Sequence, residues 1–310
     1  MSDVAFLFPG QGSQFVGMGK QLYEQYPVAR EFFERADRAL GFKISELCFE
    51  GPEESLKKTE LTQPALLTVS AAANAVLNEA GFFPAIVAGH SLGEYSALQA
   101  VGALPFEDAV VLVNKRGRFM QEAVPQGEGA MAALLRLPEG KLDAVLAGAQ
   151  NGHVVTAANY NSPEQVVIAG HAAAVARAME LAKGAGAKRA VALSVSAPFH
   201  SPLMKPAQES MKAELDRIQF NNLSVPLITN WQAREISTGE AARESLYEQI
   251  PNPVLWTDSV RELAKRGVNR FVEVGPGNVL LGLCRSIAPS LKGASFGAPG
   301  DLEKVKALLS

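Results

Sequence analysis

The decisive stretch reads PAIVAGHSLG, from Pro84 to Gly93. Its first part, residues 84–89, is a short continuous apolar run, the pattern of a strand buried on both faces. It leads into Gly89-His90-Ser91-Leu92-Gly93, a G-x-S-x-G pentapeptide, and a helix is expected directly after it. Strand, sharp turn and helix in that order hold a serine hydroxyl out at the end of a strand. The turn is tight, so its flanks must be small, and Gly89 and Gly93 meet that need. The following helix aims backbone N–H groups at an oxyanion forming beside the serine. A glycine-rich turn with a merely capping serine has a similar composition. The strand–elbow–helix context favours a nucleophile.

The alternation continues on both sides. Residues 3–8 (DVAFLF) predict a buried strand ended by Pro9-Gly10, and residues 17–40, 64–80 and 105–122 predict helices. Strands separated by helices imply an α/β protein with a mainly parallel sheet. The middle differs. Residues 129–137 read as a strand and 138–150 as a helix. Residues 153–159 and 165–170 read as strands joined by a turn containing Asn161-Ser162-Pro163. A helix over 171–187 and a strand over 189–195 complete a β-α-β-β-α-β order, the ferredoxin-like pattern. Residues 127–195 are therefore expected to form a small inserted domain, marked off by Pro125-Gln126-Gly127 and by Pro198. Residues 1–126 and 196–310 are expected to form the large domain. It resumes with a helix over 202–218, a strand over 223–230, a helix over 256–267, and a strand over 270–274 running into Gly275-Pro276-Gly277.

The chain has 310 residues, 47% of them hydrophobic and 20% charged, enough for a substantial core without disulfides or metals. A net charge of -3 argues against a nucleic-acid binder that neutralises phosphates. Cys48 and Cys284, and the four histidines, show no metal-ligand spacing. The start, MSDVAFLFPGQG, lacks the positive charge of a signal peptide, and no run is apolar enough to span a membrane. A cytoplasmic protein is expected.

A serine nucleophile needs a base. His90 adjoins Ser91, but neighbours on a tight turn diverge, so it is expected to be structural or to line the pocket. His153 begins a strand of the small domain and His171 a helix there, both near the surface. His200 lies in a loop stiffened by Pro198 and Pro202 and is left as the candidate base. No acid announces itself as its partner. Asp258 and Glu273 are possible, and a backbone carbonyl can also orient an imidazole.

The helix over 105–122 carries a second signal. Phe106, Ala109, Leu112, Val113, Phe119 and Met120 fall on one arc, and Arg116 falls in the middle of it. A guanidinium there needs an anionic partner. That partner is either an internal carboxylate, unless the side chain snorkels outward, or a substrate carboxylate held bidentately.

Taken with further stretches, these residues resemble the malonyl-CoA:acyl-carrier-protein transacylases of bacterial type II fatty-acid synthesis, over essentially the whole chain. The resemblance rests on Phe8-Pro9-Gly10-Gln11-Gly12-Ser13-Gln14, Gly89 to Glu94, Lys115-Arg116-Gly117, Asn159-Tyr160-Asn161-Ser162-Pro163, Phe199-His200 and Glu273 to Gly277. It implies an α/β-hydrolase-like core with a ferredoxin-like insert. It implies Ser91 as nucleophile, His200 as base, and the N–H groups of Gln11 and Leu92 as oxyanion hole. It makes Arg116 the partner of the malonyl carboxylate. Gln249 matches the residue whose main-chain carbonyl orients the imidazole, within the loosely similar stretch Tyr247 to Pro251. Gln11, His90, Asn159, Asn161 and Phe199 fall among the substrate-binding positions. Phe199 is similar to the bulky residue of malonyl-selective members, and bulk there excludes an α-methyl group only partially.

The expected partners are malonyl-CoA and, transiently, an acyl carrier protein. No nucleic acid, membrane, metal or tightly held cofactor is expected, and the protein is expected to be a monomer. Carrier proteins are usually acidic, and Lys115, Arg118, Lys188 and Arg189 are candidates for a basic docking patch. Competing readings are a serine thioesterase, a non-catalytic acyl-binding subunit and a polyketide-pathway acyltransferase of the same fold.

Overall fold

A computed structural model describes residues 4–195 and 197–310. Met1 to Asp3 and Ser196, where the two segments of the expected large domain begin, lie outside the described residues. The strands are β1 (Val4–Phe8), β2 (Ile86–Gly89), β3 (Gly129–Leu135), β4 (Val155–Ser162), β5 (Gln165–His171), β6 (Arg189–Ala192), β7 (Leu227–Ile228), β8 (Glu235–Ile236), β9 (Arg270–Val274) and β10 (Lys292–Phe296). Helices α1 (Lys20–Gln25), α2 (Pro27–Leu40), α3 (Ile44–Glu50), α4 (Glu53–Leu56) and α5 (Thr59–Glu79) lie between β1 and β2. Next come α6 (Leu92–Ala100), α7 (Phe106–Glu122), α8 (Leu142–Gln150), α9 (Ala172–Gly184) and α10 (Lys205–Asp216). The chain closes with α11 (Gly239–Glu248), α12 (Trp256–Lys265), α13 (Val279–Ile287) and α14 (Leu302–Leu309).

The strands form two sheets. One has the order β10-β9-β1-β2-β7-β8, parallel from β10 to β7 with β8 antiparallel at the edge. Continuous apolar runs such as VAFLF suit strands covered on both faces, and all five residues of β1 are buried. Alternation sends Phe6, Phe8 and Val87 to one face, where they join residues of α2, α5, α6 and α7. Ala5, Leu7, Ile86 and Ala88 face the other way, toward Val260 and Leu263 of α12 and Leu280 of α13.

The other sheet is antiparallel, with the order β4-β5-β3-β6. One face packs on α8 and α9 through Ala132, Leu134, Ile168, Ala174 and Ala178. The opposite face contributes Met131, Ala133, Val167 and Ala169 to the core shared with α5 and α7. Backbone bonds between β4 and Val254 tie this sheet to the loop before α12.

The expected elements occur, with shifted limits. The helix expected at 64–80 begins five residues earlier, at Thr59, and takes Pro64 into its second turn. The strand expected at 223–230 pairs only over Leu227–Ile228. The last strand of the small sheet stops at Ala192. Asn161 and Ser162, expected in a turn, end β4, which two irregularities in register with β5 lengthen.

The segments after β1, β2, β7 and β9 emerge at the carboxyl ends of parallel strands, the edge where open α/β sheets bind ligands. They bring Pro9 to Gln14, His90 to Glu94, Thr229-Asn230 and Gly275 to Gly277 to one edge of the sheet.

Candidate active site

Ser91 sits between β2 and α6 with φ 51 and ψ -107, a backbone conformation that costs roughly 1–3 kcal/mol for a non-glycine residue. The surroundings hold it there. Its N–H donates to Asn230 Oδ1 at 2.6 Å, and Asn230 Nδ2 donates to the Gly89 carbonyl at 2.6 Å. A Cβ on Gly89 would lie 1.9 Å from the Gly93 carbonyl oxygen, and one on Gly93 would lie 2.0 Å from that of Phe8. Both glycines are therefore required by close backbone approach, not only by turn flexibility.

The Ser91 hydroxyl lies 2.7 Å from Nε2 of His200. Nδ1 of His200 is 3.0 Å from the main-chain carbonyl of Gln249, so the Nδ1–H tautomer donates to it and leaves Nε2 free to accept the serine proton. His200 also has a positive φ, 56, and is buried. Burial, reinforced by the Arg116 charge, pushes its imidazole down to about 3, which keeps it neutral at physiological pH. The two acids left open as its partners are engaged elsewhere. Asp258 pairs with Arg261 on the surface, and Glu273 accepts the N–H groups of Leu280 and Leu281 at the start of α13.

Arg116 is 1% exposed and reaches the same place from α7. Gly117 permits this, because a Cβ there would lie 2.6 Å from the backbone of Glu60 on α5. Nη1 donates to Gln63 Oε1 at 2.8 Å, and Nη2 donates to Gln249 Oε1 at 2.7 Å and to Ser91 Oγ at 3.3 Å. The guanidinium also lies over the Tyr95 ring, 5.1 Å from its centroid. Every hydrogen-bond partner is neutral, and Nε has none among the described residues. The internal ion pair weighed as an alternative is thus absent among the described residues. Burial lowers the affinity of Arg116 for its proton, opposed by Tyr95 and Glu94.

A cavity of about 200 Å³ opens on these groups, smaller than the ~300–1,000 Å³ typical of drug-sized ligands. Its polar lining includes Gln11, Gln63, His90, Arg116, Asn159 and Asn161, and its apolar lining includes Met120, Met131, Val167 and Phe199. All ten candidate residues except Gln249 line it directly, and Gln249 meets it through Arg116, Ser91 and His200. His90 turns from Ser91 to Asn161, with Nε2 2.8 Å from Oδ1, and links the elbow to β4. The main-chain N–H groups of Gln11 and Leu92 have no acceptor among the described residues.

Sequence reasoning missed Gln63, Glu94, Asn230 and the side chain of Gln249. Only Glu94 carried a signal of the kind that exposed Arg116, a charge on a helix in which Leu92 through Leu98 are all buried. Among the described residues no cluster of His, Cys, Asp and Glu could hold a metal, and no helix is long and apolar enough to cross a membrane. Of the four basic residues considered for docking, Lys115 is taken up by Glu214 at 2.7 Å. Lys188 and Arg189 line a separate groove with Arg136.

An elbow serine, a carbonyl-oriented histidine and a buried arginine beside the serine hydroxyl form an arrangement suited to acyl transfer. The sequence matches the acyl transferase domain family over residues 5–293. It is 50% identical over 304 residues to a Bacillus subtilis protein named malonyl CoA-acyl carrier protein transacylase, covering 98% of this chain and 96% of the other. It is 49% identical to its Escherichia coli K12 namesake, covering 97% and 98%. A crystal structure of an acyl carrier protein S-malonyltransferase from Vibrio cholerae superposes with a TM-score of 0.96 at 44% identity, covering 98% of this chain and all of that one. A malonyl-transacylase solved in complex with a type II PKS acyl-carrier protein superposes with a TM-score of 0.95 at 43% identity, covering 99% of each chain. The chain belongs to the acyl transferase family and, within it, to the malonyl CoA-acyl carrier protein transacylases.

Proposed function

We propose that this protein moves a malonyl group from malonyl-CoA to the phosphopantetheine thiol of an acyl carrier protein, through a malonyl ester on Ser91. The observation that carries the choice of acyl group is Arg116, a buried cation 3.3 Å from the Ser91 hydroxyl whose hydrogen-bond partners are all neutral. A dicarboxylic acyl group supplies the missing anion, and an acetyl group does not.

In the first half-reaction Ser91 Oγ attacks the thioester carbonyl while His200 Nε2 takes its proton. The main-chain N–H groups of Gln11 and Leu92 receive the tetrahedral oxyanion. The C–S bond breaks, and the departing coenzyme A sulfur takes the proton from His200. In the second half the carrier thiol gives its proton to His200 and attacks the malonyl ester. The C–O bond then breaks and the proton returns to Ser91. Gln249 holds the imidazole through its carbonyl. His90, Asn159, Asn161 and Phe199 shape the acyl pocket, with Phe199 limiting bulk at the α-carbon.

We read the architecture as an α/β-hydrolase-like large domain, residues 1–126 and 196–310, with a ferredoxin-like insert at 127–195. The strand order β4-β5-β3-β6 and its antiparallel pairing support the insert. The chemistry requires no metal or tightly held cofactor, since nucleophile, base and anion receptor are all side chains or backbone. A cytoplasmic monomer is the form we propose. Intact-protein mass spectrometry tests the function: malonyl-CoA alone should leave a malonyl adduct on the protein, and holo carrier protein should remove it. Failure of the adduct to form, or its equally rapid loss to water, would overturn the proposal.

A further inference from the structure

Arg116 is placed by groups that are placed in turn. Its Nη2 meets Gln249 Oε1, and Gln249 Nε2 donates to Glu94 Oε2 at 2.8 Å and to the Ser91 carbonyl at 3.1 Å. Glu94 is wholly buried. Its Oε2 also accepts the Asn230 N–H at 3.0 Å, and its Oε1 accepts the Ser245 hydroxyl. Among the described residues no lysine or arginine pairs with this carboxylate. We infer that Glu94 is a positioning residue, acting through the side-chain amide of Gln249 to hold the Arg116 fork toward the acyl pocket.

Donors and acceptors set the orientation of the amide. A glutamine side chain has two chemically distinct ends. Arg116 offers only donors, so the end facing it must be the oxygen. An acceptor on the far side of Gln249 makes the other orientation unfavourable, and Glu94 is that acceptor. Without it the amide can turn, which sets donor against donor at Nη2. The carboxylate also lies behind the amide and not against the guanidinium, so no internal anion takes the place of a substrate carboxylate there. Asn230 extends the same control to the nucleophile, since its backbone N–H is held by Glu94 and its Oδ1 holds the Ser91 N–H. Burial raises the carboxyl of Glu94, opposed by its hydrogen bonds from Ser245, Gln249 and Asn230 and by Arg116. In either protonation state it presents an oxygen to Gln249.

The inference rests on the malonyl reading above, and the experiment separates the two. kcat/KM is measured with malonyl-CoA and acetyl-CoA for the wild type, Glu94→Ala, Glu94→Gln, Gln249→Met and Arg116→Ala, with circular dichroism on each. Glu94→Ala and Gln249→Met should each lower malonyl at least tenfold more than acetyl, chiefly through KM. Glu94→Gln should recover most of the malonyl preference, because its oxygen can face Gln249 while its NH₂ donates to Ser245. A parallel fall of both substrates in Glu94→Ala and Gln249→Met overturns the inference. If Glu94→Ala does not fold, Gln249→Met, which keeps the main-chain carbonyl, decides by the same comparison. A wild type indifferent to malonyl and acetyl would sink the malonyl reading itself. Loss of preference in Arg116→Ala alone would sink only the relay.

Discussion

Ser91 Oγ stands 2.7 Å from His200 Nε2, and both residues hold positive φ, 51 and 56. The proposed nucleophile and base are thus each fixed in a backbone state that L-residues rarely adopt, on loops anchored by different parts of the chain. Strain at both partners is the pattern expected where geometry is set in advance of reaction. Ser91→Ala should abolish the acyl-enzyme while circular dichroism stays unchanged, since the elbow is held by Asn230 and by backbone contacts. A malonyl adduct persisting in that variant would show that another residue carries the acyl group.

The proposed role of His200 also sets an expected pH response. Its imidazole sits at about 3 in the folded protein, far below its ordinary value of 6.5, through burial and then the Arg116 charge. The base therefore stays neutral across the physiological range, and single-turnover acylation should remain level between pH 8 and pH 5. Halving of the rate near pH 6.5 would contradict this. The same shift bears on stability. Between about pH 6.5 and 3 the unfolded chain binds a proton at this residue that the folded chain refuses. The contribution of His200 is complete above 6.5 and declines as the pH falls through that window.

The elbow glycines give a structural test. A Cβ on Gly93 would lie 2.0 Å from the Phe8 carbonyl oxygen, backbone against backbone, with no side chain able to yield. Gly93→Ala should destabilise the protein by about 1–3 kcal/mol or more, and acylation should fall with it. Urea denaturation and the acylation rate measure both. Wild-type stability in that variant would mean that β1 and the elbow can separate.

Much of this was legible in the sequence because it depends on local pattern. The apolar run of β2 and the glycines around Ser91 announce the elbow wherever it packs. The β-α-β-β-α-β order of the middle segment is likewise a matter of succession. Arg116 was legible because a permanent charge on an apolar helical arc demands an explanation. Gln249 was reached only by family resemblance, because a main-chain carbonyl has no residue type to betray it. Gln63 and Asn230 were not legible at all. They lie 53 and 139 positions from the groups they hold, and neutral amides break no pattern. The strand read over 223–230 narrows to the two-residue β7 for a related reason: its β-prone neighbours make only scattered backbone bonds, such as Leu223 N–H to the Ser237 carbonyl and Thr229 N–H to that of Arg234.

Phe199 is 8% exposed and lines the same cavity as His200. Shortening it should admit an α-methyl group. Phe199→Ala should raise the kcat/KM ratio of methylmalonyl-CoA to malonyl-CoA by roughly 1–3 kcal/mol, about 5- to 150-fold. Competition between the two thioesters for one enzyme sample gives the ratio directly. An unchanged ratio would remove Phe199 from the specificity pocket.

Arg116 provides the sharpest test of substrate choice. Malonyl and acetyl thioesters present the same reacting carbonyl and differ by one carboxylate. On the proposed reading the malonyl carboxylate pairs with a guanidinium already desolvated and already oriented by Gln63 and Gln249. An acetyl group leaves that charge without an anion. Arg116→Ala should therefore penalise malonyl by about 2–5 kcal/mol, the range for removing one partner of a buried charge pair. Acetyl should fall far less, because the nucleophile and the base remain. Arg116→Lys should recover little, since an ammonium cannot reproduce the planar fork between Gln63, Gln249 and substrate. The measurement is kcat/KM for both thioesters in the three proteins, with folding checked by circular dichroism. Parallel losses on malonyl and acetyl would reduce Arg116 to a structural prop for the Ser91 hydroxyl, which its Nη2 touches at 3.3 Å.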